Sequence, residues 1–411
     1  MRDCMKKLYL ITDHYPYTSG EMPFLLPELA VTHHYFDILL ISRDLQAKQN
    51  YTPPYQIPAV RFPAKAPGPS TKARHLLRCL RDPKYHSEIA QNNSGRPRKE
   101  IEAEVRNFLY NAEALRQWME ECGYFADRKN AVYYSFWYSV GTMALVLEKE
   151  KYPEMKIATR AHGYDLYNER QPCGQLFKRY MDGKIDLIGF ISRVGRDYYQ
   201  KFFATKPASQ YHVYYLGVAD HGLCPQTHGD TLELFSCSNV IPLKRVHQIA
   251  RAVSKLEIPV HWLHAGDGES LPETRALCQT LFQDKKNISW EMPGAISNEA
   301  VIRYYQEHPV DLFVNASETE GLPVSIMEAY SFGVPVIAPA VGGIPEMVNS
   351  GTGYLLSDKA TPDEIFSAIQ HWRQSSKMQQ ATLRLNARQI WHNSFYDKRN
   401  HARFAKALLA L

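Results

Sequence analysis

Long apolar runs are missing from this 411-residue sequence, and none of its hydrophobic stretches approaches the roughly 20 residues that cross a bilayer. The apolar residues 8–12 that follow the N-terminal segment are too short for a signal peptide, and Asp13-His14 come next without a small-residue cleavage site. A buried first strand in a cytoplasmic protein is expected instead. Cysteine is sparse and unpaired in pattern. The seven (Cys4, Cys79, Cys122, Cys173, Cys224, Cys237 and Cys278) are scattered, odd in number and never spaced as C-x-x-C, which argues against a disulfide framework or zinc knuckle and for a reducing compartment. P-loop, G-x-S-x-G and H-E-x-x-H motifs are absent, and Gly266-x-Gly268 lacks the third glycine of a dinucleotide fingerprint because Leu271 stands there. Asp-x-Asp is also absent, and His261 and His264 on one strand would point to opposite faces, so no metal is expected. No sign of charge is in large excess. A net charge of +5 decides nothing by itself, and no nucleic-acid partner is expected.

What the chain does contain is a repeating order of short apolar strands and helices. Its length exceeds one ordinary core, so two domains are expected. Strand-length apolar segments occur at 8–12, 37–42, 131–135, 156–161, 187–192 and 213–216, with helical periodicity at 98–122 and 141–149. After a turn-rich stretch at 217–222 a second series begins, with strands at 232–236, 260–265, 287–291, 312–316, 335–338 and 353–356. Helical segments separate them at 245–255, 272–283, 298–307, 324–332 and 362–372. Fully apolar strands alternating with helices describe a parallel sheet covered on both faces. The expected fold is therefore α/β, with two Rossmann-like, doubly wound parallel-sheet domains facing a cleft: residues 1–217 and 218–389. A last helix at about 390–411 packs on one or the other domain.

The stretch 63–99 breaks this rhythm with Pro, Lys, Arg and His. Within its basic segment 65–84, Leu76, Leu77 and Leu80 would share one helical face ringed by Lys72, Arg74, Arg78 and Arg81. Two readings stand side by side. One is a surface helix with its leucines on the core, and the other an interfacial helix in peripheral contact with anionic lipid.

The densest chemical signal runs from Ser317 to Tyr330. A strand ends, a loop carries Glu320, Gly321 and Leu322, and Pro323 opens a helix at Val324 and Ser325. Proline suits the start of a helix because its missing N–H has no partner there. The exposed amides of Val324 and Ser325 and the positive end of the helix dipole make an anion site fit for a diphosphate. The position, at the C-terminal end of a parallel strand, is where doubly wound sheets bind ligands. Glu320 and Glu328 lie eight residues apart, about 12 Å along a helix, against the roughly 5–10 Å separating a glycosidase carboxyl pair. That spacing favours reading two separate parts of one long ligand, such as a nucleotide-sugar.

The run from Glu320 to Ala329, followed by Gly333-Val334-Pro335-Val336-Ile337-Ala338, Gly342-Gly343-Ile344-Pro345-Glu346 and Gly351-Thr352-Gly353-Tyr354, resembles the donor-binding core of the family 4 (group 1) retaining glycosyltransferases. The resemblance implies a two-domain GT-B fold and transfer of a hexose-type sugar from a nucleotide-diphosphate sugar to a carbohydrate or lipid-linked acceptor. Cell-surface polysaccharide or glycolipid synthesis is the implied setting, and no metal or cofactor is implied. It assigns Glu320 to donor hexose hydroxyls, the amides from Gly321 to Ser325 to sugar and phosphate, and Glu328 to the ribose. Ser236–Arg245 resembles the segment that opens the donor domain, in which Lys244 contacts the diphosphate. That is where negative charge develops as the glycosidic bond breaks. The usual Gly-Arg pair there is Ser238-Asn239, so a second cation must come from elsewhere, and Arg245 is the candidate.

Other segments extend the resemblance. Arg160-Ala161-His162-Gly163-Tyr164-Asp165 is similar to the His-Gly segment facing the donor sugar, which places His162 near the reacting carbon or an outer hydroxyl. The loop from Tyr15 to Glu21 looks like the first-domain loop whose glycine, here Gly20, lets the backbone approach donor phosphate and acceptor. Gly266 and Gly294, at strand ends of the second domain, lie where the base would pack. Two other classes remain open at this level: a non-catalytic relative serving as partner subunit or sugar-nucleotide-binding module, which the absence of Arg at Asn239 would suit, and a sugar-nucleotide epimerase of the same shape.

Overall fold

A computed structural model of the chain describes residues 5–18, 20–44, 51–63, 68–226 and 229–411. Cys4, Ser19 of the first-strand loop and residues 65–67 of the basic segment lie outside them. Two compact units emerge: residues 1–215 with 398–411, and residues 216–397.

The first unit is built on seven strands, β1 (Lys7–Thr12), β2 (Asp37–Ser42), β3 (Ala59–Arg61), β4 (Val132–Ser135), β5 (Lys156–Ala161), β6 (Leu187–Phe190) and β7 (His212–Val213). They are ordered β3-β2-β1-β4-β5-β6-β7, and every pairing is parallel. Alternation along β1 shows why its apolar run is continuous. Tyr9 and Ile11 enter one core cluster while Leu8 and Leu10 enter another on the opposite face. A strand covered on both sides has no polar face to offer.

The second unit repeats the plan with β8 (Leu232–Cys237), β9 (Val260–Ala265), β10 (Ile288–Gly294), β11 (Leu312–Val314), β12 (Val336–Pro339) and β13 (Gly353–Leu356). Their order is β10-β9-β8-β11-β12-β13, all parallel. Strand order reverses between β8 and β11, the kind of position at which open parallel sheets bind their ligands.

Several local expectations need correction. The short strand β3 has no counterpart in the sequence reading, and β7 is only two residues long. The irregular stretch before residue 98 holds two helices, Pro69–Cys79 and Pro83–Gln91. In the first, the leucines are not on the core: Leu76, Leu77 and Leu80 are 40%, 56% and 52% exposed, and Cys79 is its one buried residue. The C-terminal region is a helix Lys377–Ile390, a widened turn Trp391–Phe395 and a helix Asp397–Leu409. Phe404 and Leu408 of the last helix join the core of the first unit beside Leu8 and Leu10.

Candidate active site

The loops leaving β8 and β11, the two strands at the reversal, carry Lys244 and Glu320. After β8 the chain passes the exposed Asn239 and makes a single tight turn, Pro242–Lys244, before the helix Val246–Val253. Arg245 joins turn to helix in the left-handed region at φ 49°. Its guanidinium is committed to main-chain carbonyls, with Nε donating to Ala316 at 2.8 Å and Nη2 to Ala360 at 3.2 Å. It therefore clamps the two loops together, a role the sequence did not signal. The Glu318 amide adds a second tie, to the Leu243 carbonyl at 2.8 Å.

Glu320 is buried and receives three hydrogen bonds on one oxygen. Lys244 Nζ donates to Oε1 at 2.6 Å, Ser317 Oγ at 2.6 Å and Asn315 Nδ2 at 3.2 Å. Burial alone would raise this carboxyl. The ammonium of Lys244 and the two neutral donors outweigh it and hold Glu320 below the ordinary carboxylate range. Oε2 takes no hydrogen bond among the described residues, which leaves an ionised acceptor for a ligand hydroxyl. Asn315 carries no motif and Ser317 only opens the Ser317–Tyr330 run, so the sequence assigned neither a role.

Two glycines set the height of this loop. Gly342 sits at φ 51°, and a Cβ there would lie 1.8 Å from the Glu320 carbonyl oxygen. At Gly343 a Cβ would lie 2.3 Å from the Gly321 oxygen, and its amide donates to that oxygen at 2.8 Å. The paired glycines thus let the segment after β12 lie directly against Glu320 and Gly321. Leu322 is buried beneath the loop. Pro323 occupies the extended residue before the helix Val324–Ser331 rather than its first turn, and no side chain caps that end. The amides of Val324 and Ser325 therefore have no intrahelical acceptor.

Glu328, inside the same helix, is buried and accepts one hydrogen bond, from Asn298 Nδ2 at 2.7 Å. With burial dominant and a single donor opposing it, the carboxyl rises to about 7. The charges of Glu328 and Lys244 both act on the Cys237 thiol at the end of β8. Burial pushes that thiol up to about 12, so it is no nucleophile. Gly266, at φ 152°, abuts the Ser238 carbonyl, and its amide donates to Gly294 at 2.9 Å. The ends of β8, β9 and β10 are thereby drawn into the same wall. Asn298 was missed because a lone amide far along the chain from Glu328 has no readable spacing.

In the first unit, His162 follows β5 and packs between Trp137 and Phe136, with ring centroids at 4.4 and 4.7 Å. Its Nδ1 stands 3.5 Å from Asp165 Oδ2, and Nε2 has no hydrogen-bond partner among the described residues. Asp165 accepts the amides of Tyr138 at 2.7 Å and His162 at 2.5 Å. Burial raises its carboxyl, and the His162 ring with these donors pulls it below the usual range. The first-strand loop is organised by Glu21, which accepts the amides of Asp13, His14 and Tyr15 at 3.1, 2.9 and 2.6 Å and the Trp137 indole N–H. Gly20 is exposed, with nothing within 4 Å of a Cβ placed there, so the fold itself does not require glycine at that position.

Residues 226–389 match the family model for glycosyl transferases group 1. The O-antigen biosynthesis glycosyltransferase WbnH of Escherichia coli is 30% identical over 139 residues, 32% of this chain and 37% of that protein. The N-acetyl-alpha-D-glucosaminyl L-malate synthase of Bacillus anthracis is 35% identical over 144 residues, 33% of this chain and 35% of its own. The matched stretch thus spans about a third of the length of these curated relatives. Among solved structures, Anabaena HepE in complex with UDP-glucose superposes with a TM-score of 0.67 at 16% identity, covering 99% of this chain and 100% of the other. At that identity the likeness is one of fold.

Proposed function

We propose that this chain, whose residues 226–389 match the group 1 glycosyltransferases, is a member of that family and transfers a hexose-type sugar from a nucleotide-diphosphate donor to a saccharide acceptor with retention of configuration. The observation that carries the reading is the Lys244–Glu320 pair at the strand reversal, beside an uncapped helix end and the buried Glu328. In this reading the donor's diphosphate takes Lys244 as its counter-charge and the Val324 and Ser325 amides as donors. Glu320 accepts from hexose hydroxyls and Glu328 from the ribose. As the anomeric C–O bond breaks, charge passes to the diphosphate, where these fixed donors stabilise it without reorganising. The acceptor hydroxyl attacks on the same face and gives its proton to a donor phosphate oxygen, so no enzyme nucleophile or metal is called for. His162 is assigned to a hydroxyl of the transferring sugar, through Nε2.

The similarity to the O-antigen biosynthesis glycosyltransferase WbnH supports a cell-surface saccharide as acceptor. Asn239, exposed where the family has arginine, favours a non-catalytic binding module as the second reading. One experiment separates them. UDP and GDP are screened for thermal stabilisation, and UDP- and GDP-sugars for release of the free diphosphate. Glu328→Ala should abolish the nucleotide shift, and Lys244→Ala should lower turnover by about 10²–10³-fold. Stabilisation without turnover would select the binding module; no stabilisation by either nucleotide would end both.

No helix among the described residues is long and apolar enough to cross a membrane. The Pro69–Cys79 helix supports a peripheral contact on the cytoplasmic face instead, because its leucines are exposed beside Lys72, Arg74, Arg78 and Arg81 and the segment 68–81 contains no acid. Co-sedimentation with anionic but not neutral vesicles, lost on replacing Arg74, Arg78 and Arg81 by glutamate, is the expected result. Equal sedimentation before and after would remove the contact from the proposal.

A further inference from the structure

The first unit holds a cavity of about 320 Å³ that none of the donor residues enters. Its walls come from the end of the Pro83–Gln91 helix, from the loop between His162 and Lys178, and from the end of the Arg193–Phe202 helix. The loop is knitted to itself before any ligand arrives. Asn168 Oδ1 accepts the Gln175 amide at 2.9 Å, and Gln175 Nε2 donates to the Tyr164 and Tyr167 carbonyls at 2.9 and 3.0 Å. Asn92 Nδ2 stitches the neighbouring helix end to the Cys173 carbonyl at 2.7 Å. The loop ends at Phe177, a buried aromatic held at φ 60°, where a bulky side chain rarely sits. Such a preorganised wall costs a ligand little ordering entropy.

The lining is polar, with one aromatic face. Asn93 is exposed and makes no hydrogen bond among the described residues, and Phe202 is 38% exposed at the rim. Side-chain amides suit vicinal hydroxyls, because one group offers donors and an acceptor together, and a phenyl ring covers the C–H face of a sugar. The charges are uneven. Arg179 and Lys201 stand at the rim, and Lys201 has no ion pair among the described residues. Below them, Glu88 is half-buried and accepts the Phe177 amide at 2.8 Å, and Lys178 is buried with its Nζ donating to the Tyr138 carbonyl. Burial pushes Glu88 up to about 7 and Lys178 down to about 8, so near neutral pH the ammonium persists while the carboxyl is only part ionised, and floor and rim together are positive. Lys178 also acts on Asp165, the partner of His162, which ties the pocket to the loop carrying that histidine.

We propose that this pocket binds a negatively charged sugar unit of the acceptor, one bearing a carboxylate or a phosphate. Calling the sugar part of the acceptor rests on the glycosyltransferase reading; that the pocket binds such a sugar does not. Charge-assisted bonds from Arg179 and Lys201 would hold the anion, amides the hydroxyls, and Phe202 the ring.

The test is a ligand-observed NMR titration of the full chain with glucuronate, glucose 6-phosphate and neutral glucose. At least one of the two anionic sugars should bind tenfold or more tightly than glucose, and the two arms tell carboxylate from phosphate. Lys201→Glu should weaken that binding at least tenfold and Asn93→Ala about threefold. Both positions are exposed, so both variants keep the fold. Failure of both anions to exceed glucose, or undiminished binding to Lys201→Glu, overturns the proposal. UDP stabilisation, measured on the same samples, reports on the other unit. Its absence from a wild type that still binds the sugar would sink the donor reading and leave the pocket standing, and the reverse pattern would do the opposite.

Discussion

Two glutamates eight positions apart meet opposite electrostatic fates. Glu320, paired with Lys244, is held ionised, whereas Glu328, with one amide donor, is pushed up to about 7. The native state therefore holds a proton at Glu328 that an unfolded carboxyl near 4.5 would release. Stability should fall as pH rises from about 4.5 through about 7, by up to about 3 kcal/mol. Glu328→Gln removes that penalty, so calorimetry should find the variant more stable by about 1–3 kcal/mol at pH 8 and unchanged near pH 4.5. The same variant should bind UDP or GDP more weakly, since an ionised acceptor bonds a hydroxyl more strongly than an amide does. A residue that destabilises the empty protein and serves its ligand fits a functional position. Equal melting temperatures at pH 8 would refute the account. Both glutamates were legible in the sequence because they belong to an ordered run of motifs. Asn298, Asn315 and Ser317 were not, because common residue types carry information only once the chain has placed them.

At the level of elements, the segment after β12 shows how a motif becomes geometry. Gly342 and Gly343 were visible as part of a resemblance, but their reason, contact of backbone on backbone beneath Glu320, needed coordinates. Gly342→Ala would combine a positive φ with a Cβ 1.8 Å from a carbonyl oxygen, so the Glu320 loop must move. A loss of about 2 kcal/mol or more in urea unfolding is expected, together with loss of nucleotide-induced stabilisation. A variant as stable and as responsive as the parent would show that the two segments do not depend on each other. The Pro69–Cys79 helix gives the complementary lesson. Its leucine spacing was compatible with a core-facing or a solvent-facing helix, since periodicity reports which residues share a face and not what that face meets.

At the scale of the molecule, the chain leaves the first unit after residue 215 and returns at 398. The two crossing segments run side by side, with Val218 bridged to Tyr396. The returning helix is received by a buried charge cluster in which Arg160 Nε lies 2.9 Å from Glu28 Oε2 and His401 Nδ1 3.7 Å from the same oxygen. The Arg160 guanidinium also stacks 4.0 Å from the Phe404 ring. Removing one partner strands the other charge in a dry site. Arg160→Leu should therefore cost about 3–5 kcal/mol, and Glu28→Leu combined with Arg160→Leu should recover most of it. Denaturant unfolding of both single variants and the double would measure this, and additive losses would reject the coupling.

The sequence by itself determined the class of fold and brought forward the segments of the candidate site. Strand burial on both faces writes itself as continuous apolar runs, and a strand-loop-helix motif is local in the chain. Tertiary structure alone decided which residues Arg245 and Asn298 serve, which way the basic helix turns its leucines, and which unit receives the last helix. These are contacts between segments distant in sequence, and the pattern of a single segment does not say what it will be packed against.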